Sequence, residues 1–370
     1  MLRHFRIGLG AALALGAGLA ARAEPAVTPP EVLRPHLVEV EPGRSLHMAC
    51  VGKGSPTVVF EQGEEGSIAS WRMVLPQVAA VTQACVYDRA GFGLSDPSKI
   101  PISGIAVGDD LRRLLRAADV RGPVVLVGQS IGGFYATLFA HRFPQQVAGL
   151  VLVDPDFPGQ VVLSSASRQR RREVQAMGKE RERLGTCADL ARQGKLSREA
   201  PQGCFQLPPE LSEAEAGYVL AMATRPAWYE AQLAQFDSWY PTDKEADSLD
   251  WRQERLARRD FGDTPLVVLT SQTPPRMPAQ TDKAYADYVS RWAEAHRSLA
   301  ARSKHGEQVV VTEAGHDVQL DQPQAVVDAV KRVLAQAGPP PAEAPKAVKA
   351  RGRKAGAKGT APKKAAPKRR

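Results

Sequence analysis

The chain has 370 residues, 43% of them hydrophobic, and a formal net charge of +9, enough apolar material for one large single-core domain and no requirement for a second. The positive charge is local. Residues 338–370 hold 11 Lys and Arg against the single acid Glu343, and residues 1–23 add three positive charges, so residues 24–337 carry a net −4. Overall charge therefore gives no ground for nucleic-acid binding by the folded part.

In chain order, Arg3 and Arg6 precede an apolar stretch from residue 7 to 20 that runs into Ala21-Arg22-Ala23, the small-x-small pattern cut on export. Residues 1–23 are expected to be a signal peptide removed before Glu24, giving a periplasmic or secreted protein. The stretch is shorter than the roughly 20 apolar residues of a bilayer span, so no transmembrane segment is expected after cleavage. No cysteine follows it until Cys50, which argues against a lipid-modified N-terminal cysteine.

Residues 24–337 then alternate short β-branched runs, at 57–60, 84–87, 124–127, 150–153, 266–270 and 308–312, with helix-like stretches. Continuous apolar runs separated by helices predict a mostly parallel sheet covered on both faces. Between 153 and 266 the rhythm breaks into charged, helix-forming sequence, including the run Arg168-Gln169-Arg170-Arg171-Arg172-Glu173. About 157–262 is expected to be a helical lid inserted over the sheet's C-terminal edge, where open α/β sheets bind ligands. Its Arg run reads as a solvated helix face. Trp228, Tyr229, Phe236, Trp239 and Tyr240 either line an acyl pocket or pack the insertion onto the core.

The four cysteines, Cys50, Cys85, Cys187 and Cys204, suit an oxidising compartment. Of the three connectivities, Cys50 with Cys85 joins two predicted core strands, and Cys187 with Cys204 closes a short polar loop. No Cys-x-x-Cys or His-x-x-x-His spacing suggests a metal, and no cofactor is implied.

Chemistry concentrates at Gly128-Gln129-Ser130-Ile131-Gly132-Gly133, directly after the run 124–127 and before the helix-like 134–140. At such a strand-to-helix turn the serine backbone is strained, its hydroxyl is exposed, and glycine is required two positions before and after. A serine hydroxyl needs a base, and His316 follows the last strand run in Glu313-Ala314-Gly315-His316. The other histidines read as structural or surface: His36 and His47 ahead of the core strands, His141 at the end of the elbow helix, His296 and His305 before the last strand. A carboxylate must fix the base's tautomer. Asp154, at the end of the run 150–153, is favoured; Asp282, after 266–270, stays open as the alternative, with Asp156 behind both. The oxyanion donors are expected to be the backbone N–H groups of Ile131 and of Glu64, in the loop Gln62-Gly63-Glu64-Glu65-Gly66.

Together these residues resemble the α/β-hydrolase superfamily from about residue 37 to 334. Tyr87-Asp88-Arg89-Ala90-Gly91-Phe92-Gly93-Leu94-Ser95 looks like the turn after that family's fourth strand, Trp71 lies where the family often carries a tryptophan, and Asp321-Gln322-Pro323 looks like the start of its last helix. The resemblance implies an α/β-hydrolase fold, and relatives with the acid at the end of the sixth strand support Asp154. The chain departs from the common pattern at Gln62-Gly63 and at Gln129. Haloalkane dehalogenases and epoxide hydrolases of this fold use an aspartate nucleophile, which Ser130 is not.

The expected function is hydrolysis of a small-molecule ester or related acyl bond through a Ser130 acyl-enzyme, with peptidase and lactonase as variants. A reading of another class makes the chain a cell-envelope binding protein. Its basic tail, 338–370, would hold an anionic polymer, with the hydrolase fold as scaffold. The tail's composition predicts disorder.

Overall fold

The computed structural model describes residues 35–338, apart from 161–166, 208, 210, 243–246 and 277–279. The expected signal peptide and nearly all of the expected tail lie outside these residues.

The sheet has eight strands in the order β1-β2-β4-β3-β5-β6-β7-β8. They are β1 His36–Glu41, β2 Arg44–Val51, β3 Val58–Glu61, β4 Ala84–Tyr87, β5 Val124–Gln129, β6 Val147–Val153, β7 Leu266–Ser271 and β8 Gly306–Val311. β1 with β2, and β2 with β4, run antiparallel, and every other neighbouring pair is parallel. The central strands are largely apolar because both faces are covered, with polar residues at their C-terminal ends, and every residue of β3, β4, β5 and β7 is buried. β1 and β2 were not among the predicted runs. They form an antiparallel edge pair with polar residues interspersed, a pattern unlike the buried parallel strands. His47 accordingly lies inside β2 and is buried, not ahead of the strands.

The described residues also form ten α-helices: α1 Leu75–Ala79, α2 Gly104–Ala117, α3 Ile131–Arg142, α4 Ser167–Arg192, α5 Glu213–Ala223, α6 Pro226–Trp239, α7 Leu249–Ala257, α8 Asp282–Ala300, α9 Val318–Asp321 and α10 Pro323–Ala337. One apolar cluster joins one sheet face to α1 and α10 through Val78, Val326 and Val330. A second joins the other face to α2, α3 and α8 through Leu114, Phe139 and Leu299.

The break between β6 and β7 contains α4 to α7. A third cluster seats these helices on α3, with Trp228, Tyr229 and Trp239 buried beside Phe134 and Leu138. Trp239 meets Phe134 edge-on at 4.9 Å and Trp251 at 5.9 Å. Most of the insertion's aromatic residues therefore pack it onto the core, while Tyr240 lines a cavity. Cys50–Cys85 links facing positions of β2 and β4, and Cys187–Cys204 ties the end of α4 to the segment after it. No described helix is long and apolar enough to cross a membrane.

Candidate active site

β5 ends at Gln129 and α3 begins at Ile131, leaving Ser130 alone at the turn with φ 55° and ψ −127°. A non-glycine residue at positive φ is strained. Neighbouring glycines make the turn possible. A Cβ on Gly128 would lie 2.4 Å from the Gly132 carbonyl oxygen, and one on Gly132 would lie 2.4 Å from the Gln62 carbonyl oxygen.

His316 follows β8. Its Nε2 lies 2.8 Å from Ser130 Oγ and its Nδ1 lies 2.7 Å from Asp154 Oδ2. Because the carboxylate only accepts, Nδ1 carries the proton, leaving Nε2 to accept from the serine hydroxyl. The loop is held by three neighbours. Asp321 accepts from the Gly315 N–H at 2.8 Å, Thr273 Oγ1 donates to the Ala314 carbonyl at 3.1 Å, and Gln129 Nε2 donates to the His316 carbonyl at 3.2 Å. Burial disfavours the imidazolium, but the bond to Asp154, with Asp156 and Asp317 nearby, outweighs it and raises the His316 pKa above the ordinary value.

Asp154 stands one residue past β6 and is fully buried. Besides His316, it accepts from the Ser271 N–H at 2.8 Å, Ser271 Oγ at 2.7 Å and Trp292 Nε1 at 2.8 Å. Burial pushes its pKa up, yet the bond from His316 leads the opposing interactions that carry it below the usual carboxylate value. Asp282, the alternative acid, begins α8, where it is exposed and pairs with Arg276 at 2.6 Å. Sequence reasoning overlooked Ser271 and Trp292. Ser271 closes β7 beside the end of β6, so adjacency of strand ends was the signal available for it; Trp292, within α8, had none.

The Gln62–Gly66 loop leans over the serine. A Cβ on Gly63 would lie 3.4 Å from Ser130 Cβ and 2.1 Å from Gln129 Oε1, so Gln129 needs glycine at that position. Among the described residues, neither the Ile131 nor the Glu64 N–H has a protein acceptor. A cavity of about 580 Å³ opens here, lined by Ser130, His316, Glu64, Asp156, Met222 and Tyr240 among others. Asp156, the third-ranked acid, does not bond His316. Its N–H donates to the Ser130 carbonyl at 3.0 Å, its carboxylate accepts from Gln160 at 2.9 Å, and burial raises its pKa to about 6. Burial, with Asp156 and Glu65 adding to it, pushes Glu64 up to about 8. Among the described residues no group of three His, Cys, Asp or Glu side chains is arranged to hold a metal ion.

A serine, a histidine and a carboxylate in a hydrogen-bonded line at the C-terminal edge of this helix-flanked sheet define the class as α/β hydrolase. The sequence profile of the Alpha/beta hydrolase family matches residues 66–329, and the chain belongs to that family. The Bacillus subtilis protein YqjL, described as uncharacterized, is 25% identical over 275 residues, covering 74% of this chain and 82% of YqjL. Other relatives are longer: this chain spans 21% of an uncharacterized vacuolar membrane protein of Saccharomyces cerevisiae, at 31% identity. Among solved structures, the haloalkane dehalogenase DatA of Agrobacterium tumefaciens superposes with TM-score 0.60 at 20% identity, covering 83% of this chain and 98% of DatA. An esterase of Thermogutta terrifontis superposes with TM-score 0.51 at 20% identity, covering 82% and 99%. At these identities the likeness establishes the fold and leaves the chemistry to the residues present.

Proposed function

We propose that the protein is an exported serine hydrolase that cleaves a carboxylic ester or related acyl bond of a small molecule. The observation that carries this reading is the line Ser130 Oγ, His316 Nε2, His316 Nδ1 and Asp154 Oδ2, with links of 2.8 and 2.7 Å. In the reaction, Ser130 attacks the acyl carbon as His316 Nε2 takes its proton. The N–H groups of Ile131 and Glu64 receive the oxyanion. His316 returns the proton to the leaving alkoxide, and a water activated by the same histidine then releases the acid and restores Ser130. Asp154 holds the tautomer and stabilises the imidazolium.

A dehalogenase or epoxide hydrolase of this fold places an aspartate where Ser130 stands, so structural likeness to DatA does not carry its chemistry over. Export is supported by the two disulfides.

The test is labelling with a fluorophosphonate probe, with Ser130→Ala as control, alongside nitrophenyl esters of increasing acyl length. Labelling and ester turnover are expected in the wild type and absent in Ser130→Ala. A folded wild type that neither labels nor turns over any ester sinks the reading, and the basic tail then becomes the feature to pursue.

A further inference from the structure

Arg89 lies in the turn after β4, is 2% exposed, and does not line the cavity around Ser130. Its guanidinium is nonetheless spent on the loop that leans over the serine. Nη1 donates to the Gln62 carbonyl at 2.5 Å and to Glu61 Oε1 at 2.8 Å; Nη2 donates to the Gly63 carbonyl at 2.7 Å and, more weakly, to the Glu64 carbonyl at 3.2 Å. In a trans peptide the C=O and the following N–H point in opposite directions. Holding the Gly63 carbonyl on the Arg89 side therefore turns the Glu64 N–H to the other side of that peptide. Glu61, itself 2% exposed, pairs with the guanidinium through the same Nη1 that holds the Gln62 carbonyl and accepts from Tyr87 as well, so a second buried group holds Arg89 in place.

The same turn is the seat of the helical insertion. Arg89 Nη2 also donates to Gln235 Oε1 of α6 at 3.1 Å, and Gln235 is fully buried with no partner for its Nε2. Next to Arg89, Asp88 accepts from the Ile68 N–H at 2.9 Å, just past the oxyanion loop, and from Tyr218 of α5 at 2.6 Å. Arg225, at the start of α6, donates to the Ser95 carbonyl at 2.9 Å. One short turn thus bonds both to the loop that carries the Glu64 amide and to two helices of the insertion.

We infer that Arg89 is a positioning residue for the oxyanion hole, and that Gln235 makes its grip on the loop depend on how the insertion is seated. The inference rests on the serine-hydrolase reading with Glu64 as oxyanion donor. Its signature is a loss in kcat without a matching change in KM, since the oxyanion is absent from the ground-state complex and neither side chain lines the cavity.

The experiment measures kcat, KM and thermal midpoint for Arg89→Lys, Gln235→Leu and Gln235→Glu on the best nitrophenyl ester, with fluorophosphonate labelling of each. Complete loss of one oxyanion donor costs about 100- to 1000-fold in kcat. Arg89→Lys, which keeps the charge beside Glu61 but cannot fork across successive carbonyls, is expected to lose about 30-fold, a partial share of that loss. Gln235→Leu is expected to lose about fivefold on the same scale. Gln235→Glu restores an acceptor and should return kcat to near the wild-type value. Unchanged kcat in Arg89→Lys, or losses confined to KM, overturns the positioning role. Unchanged kcat in Gln235→Leu overturns the link to the insertion, and because that variant keeps Arg89 with Glu61, it carries the test if Arg89→Lys does not fold. A wild type that fails to label brings down the serine reading first, which keeps the two failures distinguishable.

Discussion

The two walls of the cavity above Ser130 are built on different principles. On the sheet wall the polar groups are partnered: Asp154 takes four hydrogen bonds, His316 is bonded at both ring nitrogens, and its loop is tied down at Ala314, Gly315 and the His316 carbonyl. The other wall includes Met222 and Tyr240 of the insertion together with the carboxyls of Glu64 and Asp156, on the segments after β3 and β6, both pushed toward the protonated form. Fully satisfied networks rigidify, whereas a flexible Met adapts. On the proposed serine-hydrolase reading, the contrast puts the chemistry at the sheet edge and makes the insertion and its neighbours the part that would select the substrate.

The sharpest test of the sheet wall compares two aspartates. Asp154→Asn keeps the shape, and its amide oxygen can still accept from the Ser271 and Trp292 N–H groups, but its NH2 then faces His316 Nδ1 and Ser271 Oγ where an acceptor stood and favours the wrong imidazole tautomer. A kcat loss of about a thousandfold or more is expected. Asp282→Asn, on the exposed start of α8, should stay within about twofold, the range of a surface change. In the wild type, kcat/KM should fall as pH drops through the His316 pKa, above the ordinary 6.5, because the base must be neutral. Comparable losses in the two variants would break the assignment.

That choice shows how far the sequence could be read. Four of the six predicted strand runs lie wholly inside observed strands and the other two overlap theirs, since long β-branched runs bury on both faces whatever their register. Ser130 and His316 were legible because a strand-turn-helix with paired glycines, and a histidine after the last strand, are local patterns. Asp154 against Asp282 was not settled, because the answer depends on Ser271 and Trp292 converging on one carboxylate across 117 and 138 residues. Nothing local to Asp154 announces those partners. β1 and β2 escaped for the opposite reason: an edge pair with mixed polarity lacks the continuous apolar signature of its parallel neighbours.

Behind the sheet wall, His296 offers the next test. It is fully buried, donates from Nε2 to the Pro155 carbonyl at 2.8 Å, and meets the Thr270 hydroxyl through Nδ1 at 2.9 Å, a set of partners that suits the neutral ring. Burial presses its pKa from 6.5 down to about 4. The unfolded chain takes up the proton below 6.5 and the folded one does not until about 4. Stability is therefore lost as pH falls through that window, by about 3 kcal/mol in all. Urea unfolding at pH 7 and pH 4 should show a larger acid loss in the wild type than in His296→Gln. Equal losses would mean that the proton is taken up elsewhere and that this part of the wall is not closed to charge.

The smallest expected effect belongs to the other wall. Glu64 supplies its backbone N–H to the proposed oxyanion hole while its side chain, half-buried and near Asp156, ionises only at about 8. Below that pH the carboxyl is neutral and leaves the developing oxyanion undisturbed; above it, a negative charge close to the oxyanion opposes the charge that the amides stabilise. The wild type should therefore show an alkaline fall in kcat/KM centred near pH 8. Glu64→Gln keeps the amide, removes the titration, and should change the rate at pH 7 by less than about threefold while extending the plateau upward. Loss of activity at every pH would instead make the carboxyl a participant in the reaction, and an unchanged alkaline limb would place its origin in another group. Either result would move part of the chemistry off the sheet edge and weaken the division between the two walls.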